Sequence, residues 1–218
     1  MENDRSTIGS VILSGLSPEE REMALDAMNA VEEKYPRGSV ILAAGSVTRR
    51  LGIVLEGSVT VENTDFFGSR TILSHLEKGQ CFAETYALLG TEPMAVDAVA
   101  NEDSVILMLD VRCLGTDGDE KWKMKVIRNL LNVSLRKNLL LSNRSFHIAR
   151  RTIREKILAY LDTVSKQTGS RSFDIPLDRQ GLADYLNVDR SAMSRELGKM
   201  AEEGIIETRK NHFRILDR

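Results

Sequence analysis

The sequence predicts an α+β chain in three parts: an N-terminal double-stranded β-helix (jelly roll), a long dimerisation helix, and a C-terminal winged helix-turn-helix. Three observations predict it. Short β-type runs alternate with glycines from residue 38 to residue 110, a stretch free of Gly and Pro covers about 120–143, and two capped helices separated by a tight turn lie near the C-terminus. The boundaries expected from these textures are 1–118 for the roll, 119–145 for the helix and hinge, and 146–218 for the helix-turn-helix.

The roll opens with a helix signal. Ser17-Pro18-Glu19-Glu20 reads as an N-cap, a first-turn proline and two early acids, so a short helix through Met23, Leu25 and Met28 is expected. After Pro36 come SVILAAG, LGIVLEG, SVTVEN, TILSHLEKG and AVDAVANEDSVILMLD, punctuated by Gly38, Gly45, Gly57, Gly68 and Gly79. Glycines at that spacing suit turns between short antiparallel strands of a closed or two-sheet architecture. Gly45 is expected at positive φ. Phe82 to Leu89 reads as a small helix inside the roll.

From Glu120 to Asn143 the chain is rich in Lys, Leu, Met and Arg, all good helix formers. Apolar positions recur on more than one face, so the helix can pack on its own roll and also on a second copy of itself. The seam expected for a homodimer is Ile127, Leu131, Ser134, Leu135, Asn138 and Leu141, with Asn138 able to fix register. Between Lys121 and Lys156 the only acid is Glu155 among eleven Lys/Arg. That positive run reads either as a solvated face or as a surface near phosphates.

The last part is the most informative. Arg151 to Thr163 is an amphipathic helix, and Gly169 to Asp174 reads as a break. Asp178 can cap a helix over Arg179–Leu186, Ala183 supplies the small side chain that crossing helices need, and Asn187-Val188 makes the turn, Asn tolerating a left-handed backbone. Asp189 can cap a second helix from Arg190 to about Glu203, whose inward residues are Met193, Leu197 and Met200. Arg190, Ser191, Ser194 and Arg195 then face outward over the first two turns, the end that enters a major groove. Arginine can bond O6 and N7 of guanine, and serine a base or a phosphate. Ile205–Glu207 and His212–Ile215 read as a hairpin, with Arg209 and Lys210 at its basic tip. Residues 149–218 carry 14 Lys/Arg against 11 Asp/Glu, whereas residues 1–148 carry 16 against 21. That asymmetry fits a nucleic-acid module attached to something else.

Composition narrows the rest. With 218 residues and 42% hydrophobic content the chain can build two modest cores. No run reaches the roughly eighteen apolar residues of a membrane span, and MENDRSTIGS is polar rather than signal-like; no membrane partner and a cytoplasmic location are expected. Cys81 and Cys113 have no second ligand at metal spacing, so no metal site is expected. A jelly-roll metalloenzyme would need clustered histidines on its strands, yet of His75, His147 and His212 only His75 lies in the roll. No catalytic residue and no enzymatic activity are expected.

With these residues in view, the chain resembles the cAMP receptor protein/fumarate–nitrate reduction regulator (Crp/Fnr) family over roughly residues 12–216, most strongly in RTIREKILAYL and DRQGLADYLNVDRSAMSRELGKMAEEGII. The resemblance implies a cyclic-nucleotide-binding-like roll and a homodimeric transcription regulator on double-stranded, pseudo-palindromic DNA, with RNA polymerase a possible partner. By position Arg179 resembles the family's phosphate-contacting arginine, and Arg190 and Arg195 its recognition-helix arginines. Ser191 stands where the best-known members carry a base-reading glutamate, so their usual half-sites are not implied. The family's phosphate-binding cassette begins Phe-Gly-Glu and, in cAMP binders, ends Arg-Ser. Here it begins Phe82-Ala83-Glu84, and aligning on a strand expected at Ala95–Ala98 puts Glu92-Pro93 at the Arg-Ser position, a charge reversal that disfavours cyclic nucleotides. The iron–sulfur cysteines of the oxygen-sensing branch are missing from the N-terminus. No cofactor is predicted; His75 as a haem ligand and Cys81 as a redox sensor are the alternatives considered. An unknown small-molecule effector, if bound, is expected at Phe82, Ala83, Glu84, Thr85, Tyr86 and Met94, and Ser142–Phe146 is the expected hinge. An inert roll and a constitutive DNA binder is the alternative.

Overall fold

The computed structural model describes residues 10–64, 66, 70–116 and 120–216. The polar N-terminus up to residue 9, Gly68 and the expected 118/119 boundary lie outside them. The chain forms two compact units, residues 1–136 and 137–218.

In the first unit, α1 (Pro18–Ala27) starts where the sequence places it because Ser17 and Glu20 close a reciprocal capping box: the Ser17 hydroxyl accepts from the Glu20 N–H, and the Glu20 carboxylate accepts from the Ser17 N–H. Ala24, Leu25 and Met28 are buried, and Met23, about 100° round the helix from Ala24, is exposed. The strands are β1 (Val31–Tyr35), β2 (Val40–Leu42), β3 (Arg50–Glu56), β4 (Val59–Thr64), β5 (Arg70–Leu76), β6 (Cys81–Phe82), β7 (Asp97–Ala100) and β8 (Ser104–Asp110), with α2 (Glu84–Leu89) between β6 and β7. They form two four-stranded antiparallel sheets of order β1-β8-β3-β6 and β2-β7-β4-β5, the expected jelly roll. β1 escapes a pattern reading because Glu32-Glu33-Lys34 shows no apolar alternation, and β6 because it is two residues long.

Alternation along β3 divides the interior. Leu51 and Ile53 join a core of Ile12, Leu13, Leu25, Met28 and Leu109, whereas Val54 joins Val59, Phe82, Ala98, Ile106 and Met108. Gly52 sits under the Phe82 ring: a Cβ there would lie 2.2 Å from Phe82 Cζ. Gly45 has φ 80, as expected.

The long helix α3 spans Lys121–Ile148. Trp122, Val126 and Leu130 bury one face in the roll core, while Met124, Ile127, Leu131 and Leu135 stay exposed on another. Ser142–Phe146, expected as a hinge, is helical. The break falls instead at residues 149–152, where Thr152 and Glu155 form the capping box that opens α4 (Ile153–Thr168).

In the second unit α4 is followed by β9 (Ser172–Asp174), α5 (Arg179–Leu186), α6 (Arg190–Glu202), β10 (Ile206–Arg209) and β11 (His212–Ile215), the strands in order β10-β11-β9. β9 corrects the reading of 169–174 as a plain break: after Gly169 at φ 66, Ser172–Asp174 pairs with β11 and buries Phe173 against Phe213. Ile157, Leu161, Leu182, Ala183, Leu186, Met193, Leu197, Met200, Ile206 and Phe213 form its core.

Candidate DNA-binding surface and effector cassette

The helix pair is fixed by its caps. Asp178 accepts from the Gly181 N–H at 2.7 Å, and Asp189 accepts from the Ala192 N–H at 2.7 Å. The Asp189 carboxyl is held below its ordinary range by that N–H, then by Ser191 and the Arg195 charge. Asn187 ends α5 in the left-handed region, φ 52, and Val188 donates back to the Ala183 carbonyl at 3.0 Å. Met193, Leu197 and Met200 face inward, which leaves Arg190, Ser191, Ser194 and Arg195 together and exposed along the first turns of α6. Arg209 ends β10 and Lys210 takes the turn at φ 55; both are exposed.

Arg179 is placed differently. Its guanidinium lies over the Phe213 ring, 5.0 Å to the centroid, and its Nη2 donates to Thr208 Oγ1 at 2.6 Å. Desolvation lowers its pKa, and its Nη1 is buried without a hydrogen-bond partner.

Much of the basic run turns out to hold the protein together. Arg144 donates from Nε to the Tyr185 carbonyl and from Nη2 to the Asp184 carbonyl, both at 3.0 Å, and Lys156 Nζ donates to the Leu186 and Asn187 carbonyls at 3.3 and 3.4 Å. Two cations thus satisfy the open carbonyl end of α5, where the helix dipole is negative. Arg154 joins α4 to α6 and its C-cap, at 2.5 Å from Glu196 and 2.7 Å from Glu203. Lys123 pairs with Glu120, and Lys125 with Glu20. Arg150 lies 4.4 Å above the Phe146 ring, beside an open groove of about 710 Å³ that Arg151, Leu158 and Asp162 also line.

Sequence reasoning missed His147. It is 1% exposed, with Nδ1 3.0 Å from the Tyr185 hydroxyl and Nε2 2.9 Å from Thr163 Oγ1. Thr163 donates its own proton to the Ala159 carbonyl, so it accepts from Nε2–H, and Nδ1 accepts from Tyr185. Burial, and then the Arg150 charge, hold the imidazole below its ordinary pKa. Tyr160 stands edge-on to both rings. No local pattern announces this centre, because its members are 16 and 38 residues from His147 in sequence.

In the roll, Phe82 is a core ring, Glu84 and Met94 are each 3% exposed or less, Thr85 is exposed, and half-buried Tyr86 accepts from the Ala95 N–H at 3.2 Å. Ala83 holds φ 60, a left-handed conformation, and starts α2 without a side-chain cap. The strand expected at Ala95–Ala98 is displaced: β7 begins at Asp97, because Met94 already pairs with the 45–46 turn, donating to the Ser46 carbonyl and accepting from the Gly45 N–H. The alignment therefore moves by two residues. Aligned on β7 as observed, Met94-Ala95 rather than Glu92-Pro93 falls at the Arg-Ser position, and no charge reversal follows. An apolar pair stands there, and a guanidinium is still missing.

His75 Nδ1 lies 3.1 Å from the Asn101 amide, Cys81 is buried, and burial pushes the Cys113 thiol up. Among the described residues no three His, Cys, Asp or Glu side chains come together as a metal site. No described helix is long and apolar enough to cross a membrane. The seam residues Ile127, Leu131, Leu135, Asn138 and Leu141 are exposed and Ser134 is half-buried. Asp174, His212 and Ser172 line up across β9 and β11 at 3.0 Å contacts and tie the two strands.

This fold and site define a DNA-binding transcription regulator. Residues 32–115 match the cyclic nucleotide-binding domain, and residues 155–218 match the Crp-like helix-turn-helix domain. Among curated proteins the chain is 24% identical to the transcriptional activator protein FnrL of Cereibacter sphaeroides, over 84% of this chain and 75% of the relative. It is 25% identical to the nitrogen fixation regulation protein FixK of Rhizobium meliloti, over 80% of this chain and 77% of the relative. Among solved structures it is similar to the catabolite activator protein of Thermus thermophilus, with 28% identity, a TM-score of 0.51 and coverage of 94% of this chain and 93% of that one. The chain belongs to the Crp/Fnr family, whose members are transcription regulators rather than enzymes.

Proposed function

We propose that the protein acts as a homodimer that reads a pseudo-palindromic duplex through Arg190, Ser191, Ser194 and Arg195, with Arg209 and Lys210 of each wing on the backbone. The observation that carries this reading is the exposed polar face over the first turns of α6, on a helix whose opposite face is fully buried. The exposed apolar seam of α3 supports pairing with a second copy. Two recognition helices would then lie about 34 Å apart, one DNA turn. With Ser191 in place of a carboxylate, the cytosine-accepting contact is lost, and a half-site different from those of glutamate-bearing relatives follows. Activation, as in the relative named an activator, would add contacts to RNA polymerase.

The effector, if one acts, is not a cyclic nucleotide, because Met94-Ala95 offers no cation to a phosphodiester. A second reading, a constitutive binder with an inert roll, is favoured by the burial of Phe82, Glu84 and Met94. The thiols support a redox role least, one being buried and the other raised in pKa.

Selection of bound duplexes from a random library, with and without a low-molecular-weight cell extract, tests both readings. A palindrome enriched only with extract supports an effector. One enriched equally without it supports the inert roll. Enrichment of nothing removes the DNA-binding surface proposed here.

A further inference from the structure

We infer that Arg179 serves DNA binding by positioning the wing, not by contacting a phosphate. The inference rests on the DNA-binding reading above, and departs from the role that the family resemblance implies for this position.

Arg179 is the first residue of α5, and its stem leaves the helix toward the hairpin. There it grips both members of one cross-strand pair. Thr208 on β10 and Phe213 on β11 are directly opposed in the ladder; Nη2 donates to the first, and the guanidinium carbon lies over the ring of the second, 5.0 Å from its centroid. This pair lies one step below Arg209 and His212, which flank the Lys210-Asn211 tip. The other side of the hairpin is also pinned. Ile175 donates to the Asn211 carbonyl at 2.9 Å and its own carbonyl accepts from the Asn211 side chain at 3.2 Å, while Asp174 and Ser172 hold His212. A two-stranded hairpin alone is marginally stable in water. This one is clamped from β9 on one side and by Arg179 on the other, so its two exposed cations are presented in a fixed place.

The chemistry of the guanidinium argues the same way. A phosphate contact needs N–H groups directed to solvent. Here one terminal nitrogen is committed to Thr208 and the other is buried without a partner. Turning Nη1 outward to a phosphate would draw the guanidinium away from Thr208 and from the Phe213 ring. A guanidinium held over an aromatic ring while it donates to a hydroxyl is also a role in which lysine is a poor replacement.

The test is a double-mutant cycle on the full chain with a mixed-sequence duplex of about 30 base pairs, near three helical turns. Affinity is measured over a range of salt concentrations in wild type and in a wing-neutral background, Arg209→Gln with Lys210→Gln. In wild type, Arg179→Met and Thr208→Val each weaken binding, the first by about tenfold and the second by less. In the wing-neutral background both cost less than about twofold, because the wing they position no longer holds phosphate. The wing-neutral salt slope does not change further when Arg179 is replaced. If instead Arg179→Met costs the same in both backgrounds, lowers the slope by about 0.9 in each, and Thr208→Val is silent, the residue is a phosphate contact and the inference is overturned. Should Arg179→Met fail to fold, Thr208→Val alone decides, since it removes the acceptor without touching a charge. Wild type that binds no duplex overturns the DNA-binding reading itself, a result distinct from equal costs in the two backgrounds.

Discussion

Asn187 and Ala83 stand at the working corners of the two units, and both hold a left-handed backbone, at φ 52 and 60. Asn187 closes α5, its N–H satisfied by the Ala183 and Asp184 carbonyls and its own carbonyl reached by Lys156. Asparagine visits this region with little penalty, so the corner is consistent with its own local sequence. Ala83 opens α2 with a side chain that gains nothing there and a cap that makes no side-chain hydrogen bond. Its conformation is imposed by neighbours, since Phe82 before it and Glu84 after it are both buried. The DNA-binding unit is built so that local preference and tertiary packing agree. At the opening of the cassette of the roll, the packing of Phe82 and Glu84 overrides local preference.

The severest way to break that contrast is to attack the interior of the DNA-binding unit. His147→Ala removes a filled volume and strands the Tyr185 and Thr163 hydroxyls, and a loss of about 3 kcal/mol is expected, read by urea unfolding of the full chain. The same residue carries a pH dependence of known sign. Its native pKa is depressed by burial and by Arg150, so the folded unit binds fewer protons than the unfolded chain. The stability it contributes is complete above about pH 6.5, the unfolded value. It is lost as pH falls toward the lower native value, by at most about 1.4 kcal/mol per pH unit. In His147→Gln the slope between about pH 5 and 7 should flatten; an unchanged slope would mean that the network accommodates the imidazolium.

Substitution at the two corners sharpens the comparison. Asn187→Ala should cost about 1 kcal/mol, since alanine is poorly suited to that backbone, whereas Ala83→Gly should stabilise by up to about 1 kcal/mol. Both are read as shifts of the denaturation midpoint at constant m-value. If Ala83→Gly destabilises instead, the methyl is a packing element of the roll, and the contrast with Asn187 fails.

The same contrast explains what could be read from sequence. α5, α6 and the hairpin are legible because caps, turn residue and stripe residues sit within a few positions of one another, and the four outward residues of α6 follow from helical period alone. The roll is legible as an architecture through its glycines, yet β1 and β6 are not, because one is charged and the other is two residues long. The two-residue error in the cassette has the same origin: a residue that pairs with the 45–46 turn before the strand begins cannot be told from the strand itself. Arg144, Arg154 and Lys156 look like surface charge in sequence. Only tertiary contact reveals that they hold carbonyls and carboxylates of elements more than 25 residues away.

Lys210 is the exception within the DNA-binding unit, and it gives the smallest expected effect on stability. It holds φ 55 at the hairpin tip, where glycine would adopt the turn without steric cost. Lys210→Gly should therefore leave stability within a few tenths of a kcal/mol of wild type, the relief of strain offset by the added freedom of the unfolded chain. Binding to duplex DNA should nevertheless weaken, with the salt slope falling by about 0.9 for the one phosphate contact removed. The two readouts separate fold from function at one residue. If affinity and slope both stay at wild-type values, the left-handed lysine has no role on DNA, and the only strained position in the helix-turn-helix and wing would be as unsupported by local chemistry as Ala83 in the roll.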